Sequence, residues 1–246
     1  MILAAGLGTR LLPLTENRPK ALVEVGGRAL LEITLARLRN FGITDVIVNT
    51  HHFAEMVRKY LESNKNFGMN IAISHEEILL DTGGGLKKAA YFFLEQSANS
   101  EEPFLLHNVD VISTIDLGRM LQFHNKHKAL ATLAVQERET SRHLLFQQDF
   151  ELCGRRSGAD STVELIRPSQ NVHALAFCGI HIISPRLLSM ITEEGVFSII
   201  TSYLRLAGLG QKIVGFRADE SYWRDLGTPE NVAQAAQDLQ QRTNIP

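Results

Sequence analysis

Apolar and polar positions switch between two periods along the first half of the chain. Short apolar runs over Ile2–Ala5, Asp45–Val48, Ile71–Ile73 and Pro103–Leu106 are too brief for helices and predict strands. Between them, Ala29, Leu30, Leu31, Ile33, Leu35 and Leu38 recur at helical spacing and stop before Gly42, and Phe53–Leu61 and Leu86–Leu94 read the same way. Strands alternating with helices predict an α/β fold, a three-layer α/β/α arrangement around a mostly parallel, twisted sheet. The second half is more mixed. Leu117–His124 and Phe197–Leu206 predict helices; Leu130–Val135, Ala174–Ile183 and Lys212–Phe216 predict strands; Leu144–Phe150 with Cys153-Gly154 predicts a hairpin arm. Ser184-Pro185 opens another helix, and Thr228-Pro229-Glu230 has the order of an N-cap, a first-turn proline and a first-turn acid, so a helix is expected from there through Leu239. The polar end, residues 237–246, is expected to fray.

With 246 residues and 44% apolar content, a chain of this size can bury about 70–75% of its unfolded surface, and one domain over residues 1–246 is the expectation. The formal net charge of −2 leaves no basic surplus for a nucleic-acid backbone, although local positive pockets remain open to smaller anions. No stretch approaches the roughly 20 apolar residues of a membrane span, and no charged-then-apolar leader opens the chain, so a cytoplasmic location is expected. Cys153 and Cys178 are too few and too far apart for a disulfide framework or a zinc knuckle.

The segment LAAGLGTRLLPLTENRPKALVEVGG, residues 3–27, breaks the alternation. Gly6 and Gly8 leave backbone amides bare beside a strand end, where an anion can approach. Arg10 adds a planar fork suited to phosphate and Lys20 a point charge, while Pro13 and Pro19 keep the intervening chain from continuing as helix. The segment reads as a long loop folded over a polyphosphate. It is neither a dinucleotide fingerprint, which wants a third glycine where Leu11 stands, nor a P-loop, which wants Gly-Lys-Ser/Thr.

In open α/β sheets ligands gather at the carboxyl ends of strands. Asp110 follows the fourth strand and Asp225 follows Tyr222-Trp223, and a carboxylate pair of this kind suits Mg²⁺, which takes oxygen ligands and shares its shell with substrate phosphates. Asn108 is placed either to orient Asp110 or to contact a ribose. Asp81-Thr82-Gly83-Gly84-Gly85 is a second glycine-rich patch, leading into a helix, whose bare main chain could face a flat base.

At Leu3–Gly26 the chain resembles the sugar-1-phosphate nucleotidylyltransferases, whose signature LAAGxGTRLxPLTxxxPKxLxxVxG it matches nearly letter for letter. YWRDLGTPENV, residues 222–232, resembles that family's second metal motif, W-x-D-x-GTPE. The TGGG form is similar to the branch acting on N-acetylmuramate, mannose or heptose 1-phosphates. The resemblance implies a nucleotide-diphospho-sugar transferase fold of Rossmann-like type, with Ala4, Ala5, Gly6, Gly8, Thr9, Arg10, Lys20, Thr82, Gly83, Gly84 and Asn108 at the nucleotide and Asp110 and Asp225 on Mg²⁺. It implies Gly179 and Arg167 at the sugar phosphate. Two positions depart from the family pattern: Val109 stands where a glycine usually precedes the aspartate, and Ile166 stands where a glutamate is usual. Met1 stands directly before the first strand, where relatives often start a few residues earlier.

The implied reaction joins a nucleoside triphosphate, UTP or GTP by preference, to a sugar 1-phosphate with release of pyrophosphate, with Arg10, Lys20 and Asp110 as its catalytic groups. In the implied branch the product feeds cell-envelope polysaccharide. Two other readings compete: a catalytically silent regulatory homologue that binds nucleotide sugars, and nucleotidyl transfer to an acceptor that is not a sugar.

Overall fold

The structure, a computed structural model, describes residues 1–95, 102–158, 162–169 and 171–241. In chain order the elements begin with β1 (Ile2–Leu3), β2 (Glu24–Val25), β3 (Arg28–Ala29), α1 (Leu30–Asn40), β4 (Asp45–Thr50), α2 (Ala54–Ser63) and β5 (Asn70–His75). They continue with α3 (Asp81–Lys88), α4 (Ala90–Glu95), β6 (Phe104–Asn108), β7 (Val111–Ser113), α5 (Leu117–His127) and β8 (Ala131–Gln136). Last come β9 (Arg142–Phe146), β10 (Leu152–Ser157), β11 (Thr162–Leu165), β12 (His173–Ile183), α6 (Ile199–Gly208), β13 (Ile213–Arg217), β14 (Trp223–Asp225) and α7 (Pro229–Gln241). The class is α/β, with a mixed sheet and flanking helices. Among the described residues no helix is long and apolar enough to cross a membrane. Residues 242–246, part of the segment expected to fray, lie outside the described residues.

The chain divides into two compact units. The first comprises Met1–Leu80, His107–Ile115 and the segment from Ser221 onward; the second comprises Asp81–Leu106 and Asp116–Glu220. In the first unit β5, β4, β1 and the end of β6 lie side by side and parallel, with Ile2 opposite both Val48 and His107. Ile2, Val46, Ile47 and Val48 are buried, as strands covered by helices require, while Ile71, Ala72 and Ile73 of the edge strand β5 are half-buried. Helix α1 buries Leu30, Leu31, Ile33, Leu35 and Leu38 together with one charged residue, Arg37. The Arg37 guanidinium donates to Ser113 Oγ and to the Ile115 carbonyl, both at 2.5 Å, and burial lowers its pKa to about 10. It thereby ties α1 to β7, the strand that follows Asp110. The hairpin of β2 and β3 around Gly26-Gly27 had no counterpart in the periodicity, because two-residue strands are too short to show one.

In the second unit the long β12 runs antiparallel to β9 through His173–Ala176 and to β8 through Ala176–Ile183, while β13 lies parallel to β8. β10 joins β9 to β11 by antiparallel pairing. The helix expected over Leu86–Leu94 begins earlier and breaks: α3 starts at Asp81, so the three glycines lie inside it, and α4 resumes at Ala90. The Gly83 and Gly84 amides donate to the Phe197 carbonyl at 2.9 and 3.3 Å, and Thr82 Oγ1 accepts from the Ile199 amide at 3.0 Å. A Cβ on Gly83 would strike the Phe197 ring and lie 2.9 Å from its carbonyl oxygen. The glycines therefore allow α3 to pack closely on the segment that opens α6.

Two consequences are measurable. Gly83→Ala gains about 1 kcal/mol of helix propensity, but the contact it meets includes a backbone oxygen that cannot swing away, so overpacking of about 1–3 kcal/mol prevails; a lower urea midpoint is expected. His124 and His181 are buried and hydrogen-bonded to Thr132 Oγ1 and the Tyr203 hydroxyl, and burial lowers their pKa to about 4 and about 3. Below the usual histidine value near 6.5 the unfolded chain binds more protons than the folded one, so stability falls with pH. Urea midpoints at pH 7.5, 6.5 and 5 should fall throughout, with the larger drop between pH 6.5 and 5.

Candidate active site

Strand β1 ends at Leu3 because the next amide, that of Ala4, donates to the Asn49 side-chain oxygen at 2.6 Å instead of joining a strand. The chain then leaves the sheet. Ala4 and Ala5 are buried; Gly6, Leu7, Thr9 and Arg10 are exposed. Gly8 takes φ +68°, and a side chain there would meet Thr15 Cγ2 at 2.8 Å, so both backbone and space require glycine. Its carbonyl accepts from the Leu11 amide and from Thr15 Oγ1, each at 2.8 Å, which closes a tight turn at Thr9–Leu11. Leu11, Thr15 and Pro19 are buried and anchor the loop, and Lys20 begins a second short turn, Lys20–Leu22.

The carboxylates arrive from two segments far apart in sequence. β6 ends at Asn108, Val109 and Asp110 turn the chain, and β7 then pairs antiparallel with β14, placing Val111 opposite Asp225. The Leu226 amide closes the pairing on the Asp110 carbonyl at 2.8 Å. Lys20 Nζ forms an ion pair with Asp110 Oδ2, and the two side chains are only 13% and 14% exposed. Burial raises the Asp225 pKa and the neighbouring Asp110 charge raises it further, against the pull of Lys20, the Gly227 amide at 2.9 Å and Arg10. A Cβ on Gly227 would lie 2.5 Å from Asp225 Oδ1 and 2.7 Å from Arg10 Nη2, so the guanidinium and the carboxylate share the space above that glycine. Arg10, Lys20, Asp110 and Asp225 are thus one cluster. Its crowded, poorly hydrated carboxylates offer hard oxygen donors, and the raised Asp225 is the strain that a divalent cation would relieve, so the residues fit Mg²⁺.

Comparison with known proteins gives this cluster a context. A model described as Nucleotidyl transferase matches residues 1–242. The chain belongs to that family. It is 33% identical over 238 residues, covering 94% of this chain and 92% of the relative, to the N-acetylmuramate alpha-1-phosphate uridylyltransferase of Caulobacter vibrioides. It is 29% identical to the mannose-1-phosphate guanyltransferase of Saccharomyces cerevisiae, covering 94% of this chain but 62% of that protein's length. Its fold is similar to that of HddC from Yersinia pseudotuberculosis complexed with GMP-PN, with a TM-score of 0.74 at 20% identity and 97% coverage of both chains.

For a nucleotidyl transferase with Val109 before its aspartate, the local backbone is ordinary. Val109 is buried and its amide donates to the Leu3 carbonyl at 3.0 Å, continuing the β1–β6 ladder. Asn108 pairs with Leu3 in that ladder, and its carbonyl accepts from His107 Nδ1 at 2.7 Å.

In the second unit two expectations are corrected. The TGGG main chain is not bare, since the Phe197 carbonyl takes the Gly83 and Gly84 amides and the Ile199 amide takes the Thr82 hydroxyl oxygen. Arg167 does not offer a free fork to a sugar phosphate. Its Nε donates to the Ala207 carbonyl at 2.6 Å, Nη1 to Glu151 at 2.9 Å and Nη2 to the Gln211 carbonyl at 3.1 Å, so two nitrogens tie down the end of α6 and the third is paired with an acid. Gly179 takes φ +72° where the β12–β8 register shifts between Phe177 and His181. Cys178 is buried beside it, and burial pushes its thiol up to about 12, which leaves it a small apolar residue rather than a nucleophile.

Gly227, Asn49 and Glu76, whose Oε1 accepts from Asn49 Nδ2 at 2.7 Å, join the site or its support without having been singled out in the sequence. Gly227 was visible in the DLGTPE run; the other two carry no local signal. Gly227→Ala should displace Arg10 or Asp225 while leaving the fold intact, because Gly227 is not held at positive φ. Transfer activity should fall by at least about tenfold with a melting temperature within a few degrees of the parent; equal activity would show that the close approach at Gly227 does not matter.

Proposed function

We propose that this chain transfers a nucleotidyl group from a nucleoside triphosphate to a sugar 1-phosphate, releasing pyrophosphate and leaving a nucleotide sugar. The observation that carries the reading is the gathering of Arg10 and Lys20 on the Asp110–Asp225 pair. The acceptor phosphate is ionised at neutral pH and is its own nucleophile, so the site needs neither a serine–histidine pair nor a general base. What it needs is orientation and charge. Arg10, exposed and forked, suits the pyrophosphate end of the triphosphate. Lys20 supplies a point charge for the α-phosphate and the incoming phosphate, and its ion pair with Asp110 holds it in place until substrate arrives. Asp110 and Asp225 would hold Mg²⁺, which when bound supplies neutralisation of charge at the reacting phosphorus.

The uridylyl and guanyl relatives support UTP or GTP as donor, and their acceptors support N-acetylmuramate or mannose 1-phosphate. The reading places the reaction in the cytoplasm, and with the N-acetylmuramate acceptor its product serves the cell envelope. Retention of both cations and both acids favours an active enzyme over a silent sensor.

A panel of nucleoside triphosphates against sugar 1-phosphates, followed by pyrophosphate release, tests the assignment directly. Arg10→Ala and Lys20→Ala should each lower turnover on the order of 10²–10³-fold, by analogy with loss of one transition-state donor; activity within a few-fold of the parent in both would remove them from the mechanism. Asp225→Asn should move the Mg²⁺ titration to much higher concentration, and an unchanged titration would count against its ligand role.

A further inference from the structure

Glu76 is fully buried, and no cation contacts its carboxylate among the described hydrogen bonds and ion pairs. Oε1 accepts from Asn49 Nδ2 at 2.7 Å and Oε2 from the Leu80 amide at 2.9 Å. Asn49, itself 3% exposed, turns its other end to the Ala4 amide, the first amide beyond β1. His51 Nδ1 donates to the Glu76 main-chain carbonyl at 2.8 Å, which fixes the backbone at the same place. A buried carboxylate costs free energy that an apolar residue would not, so its retention needs a reason beyond packing. Direction supplies that reason. Both Glu76 oxygens accept, one from Asn49 and one from the Leu80 amide, so Asn49 presents its NH₂ to Glu76 and its oxygen to Ala4. The accepting Glu76 side chain thus selects one orientation of the Asn49 amide, and that amide decides where the chain leaves the sheet.

We infer that Asn49 and Glu76 form a polarised relay that positions the Ala4–Thr9 loop for the nucleoside triphosphate. Asn49 is the positioning residue and Glu76 the group that orients it; neither touches substrate. The inference rests on the function proposed above.

The test reverses the relay. In Asn49→Asp two carboxylates face each other, and in Glu76→Gln an amide N–H confronts either Asn49 or Leu80 N–H. When both substitutions are combined, the carboxylate now at position 49 accepts from the Ala4 amide and from the side-chain NH₂ now at position 76, whose oxygen accepts from the Leu80 amide. The swap keeps shape and net charge while reversing polarity. Each single variant should raise KM for the triphosphate about tenfold or more with KM for the sugar phosphate within about twofold, and the double variant should return the triphosphate KM to within about threefold of the parent. Calorimetric titration of the triphosphate should follow the same order. Single variants that melt earlier but keep the parent triphosphate KM would reduce the pair to a structural contact. A swap that unfolds, or folds with KM as high as the singles, would overturn the relay even if the singles cannot be purified. If the parent chain turns over no triphosphate with any sugar 1-phosphate, the functional reading itself fails and takes this role with it; a working parent with insensitive variants removes the relay alone.

Discussion

Two carboxylates held side by side with little water around them repel, and the first unit is organised around holding Asp110 and Asp225 in that position. The pairing of β7 with β14 makes the approach unavoidable, since Val111 and Asp225 are directly opposed and Leu226 bonds back to Asp110. Positive charge must then come from elsewhere in the chain. Lys20 reaches Asp110 across 90 positions of sequence, and Arg10 lies over Gly227 against Asp225. An arrangement that costs folding free energy by itself is ready to accept the charges of a polyphosphate and a divalent cation. That readiness links the strand pairing to the chemistry.

Buried polar side chains carry the support. Arg37 reaches from α1 to Ser113 and Ile115 at the far end of β7, so the strand after Asp110 is held by a helix whose other buried residues are uncharged. Asn49 and Glu76 hold the other margin, where β1 gives way to the loop. In both cases a group that is expensive to bury is hydrogen-bonded and adjoins a chain segment bearing a site residue, which is where directional bonds achieve what apolar packing cannot.

The second unit uses the same residue types for a different end. Its glycine run brings α3 against the segment before α6, and Arg167, which the family resemblance put at the sugar phosphate, closes the carbonyl end of α6 with Glu151 beside it. Residue type and spacing are compatible with either use; partners decide. A backbone amide is available to a ligand only when no carbonyl has claimed it, and a guanidinium binds phosphate only when its donors are free.

From its letters alone the chain determined the α/β class, most elements to within a few residues, the proline-bounded loop with Arg10 and Lys20, and the two strand-end aspartates. These follow from period, from the fixed φ of proline and from the tendency of ligands to gather at the carboxyl ends of strands, all of which are legible in local sequence. The short hairpin of β2 and β3, the start of α3 at Asp81, the occupation of the Gly83 and Gly84 amides, the engagement of Arg167 and the Asn49–Glu76 relay were decided only in three dimensions. Each depends on which distant group arrives opposite it, and hydrogen-bond satisfaction at buried positions is a property of the assembled neighbourhood rather than of the residue.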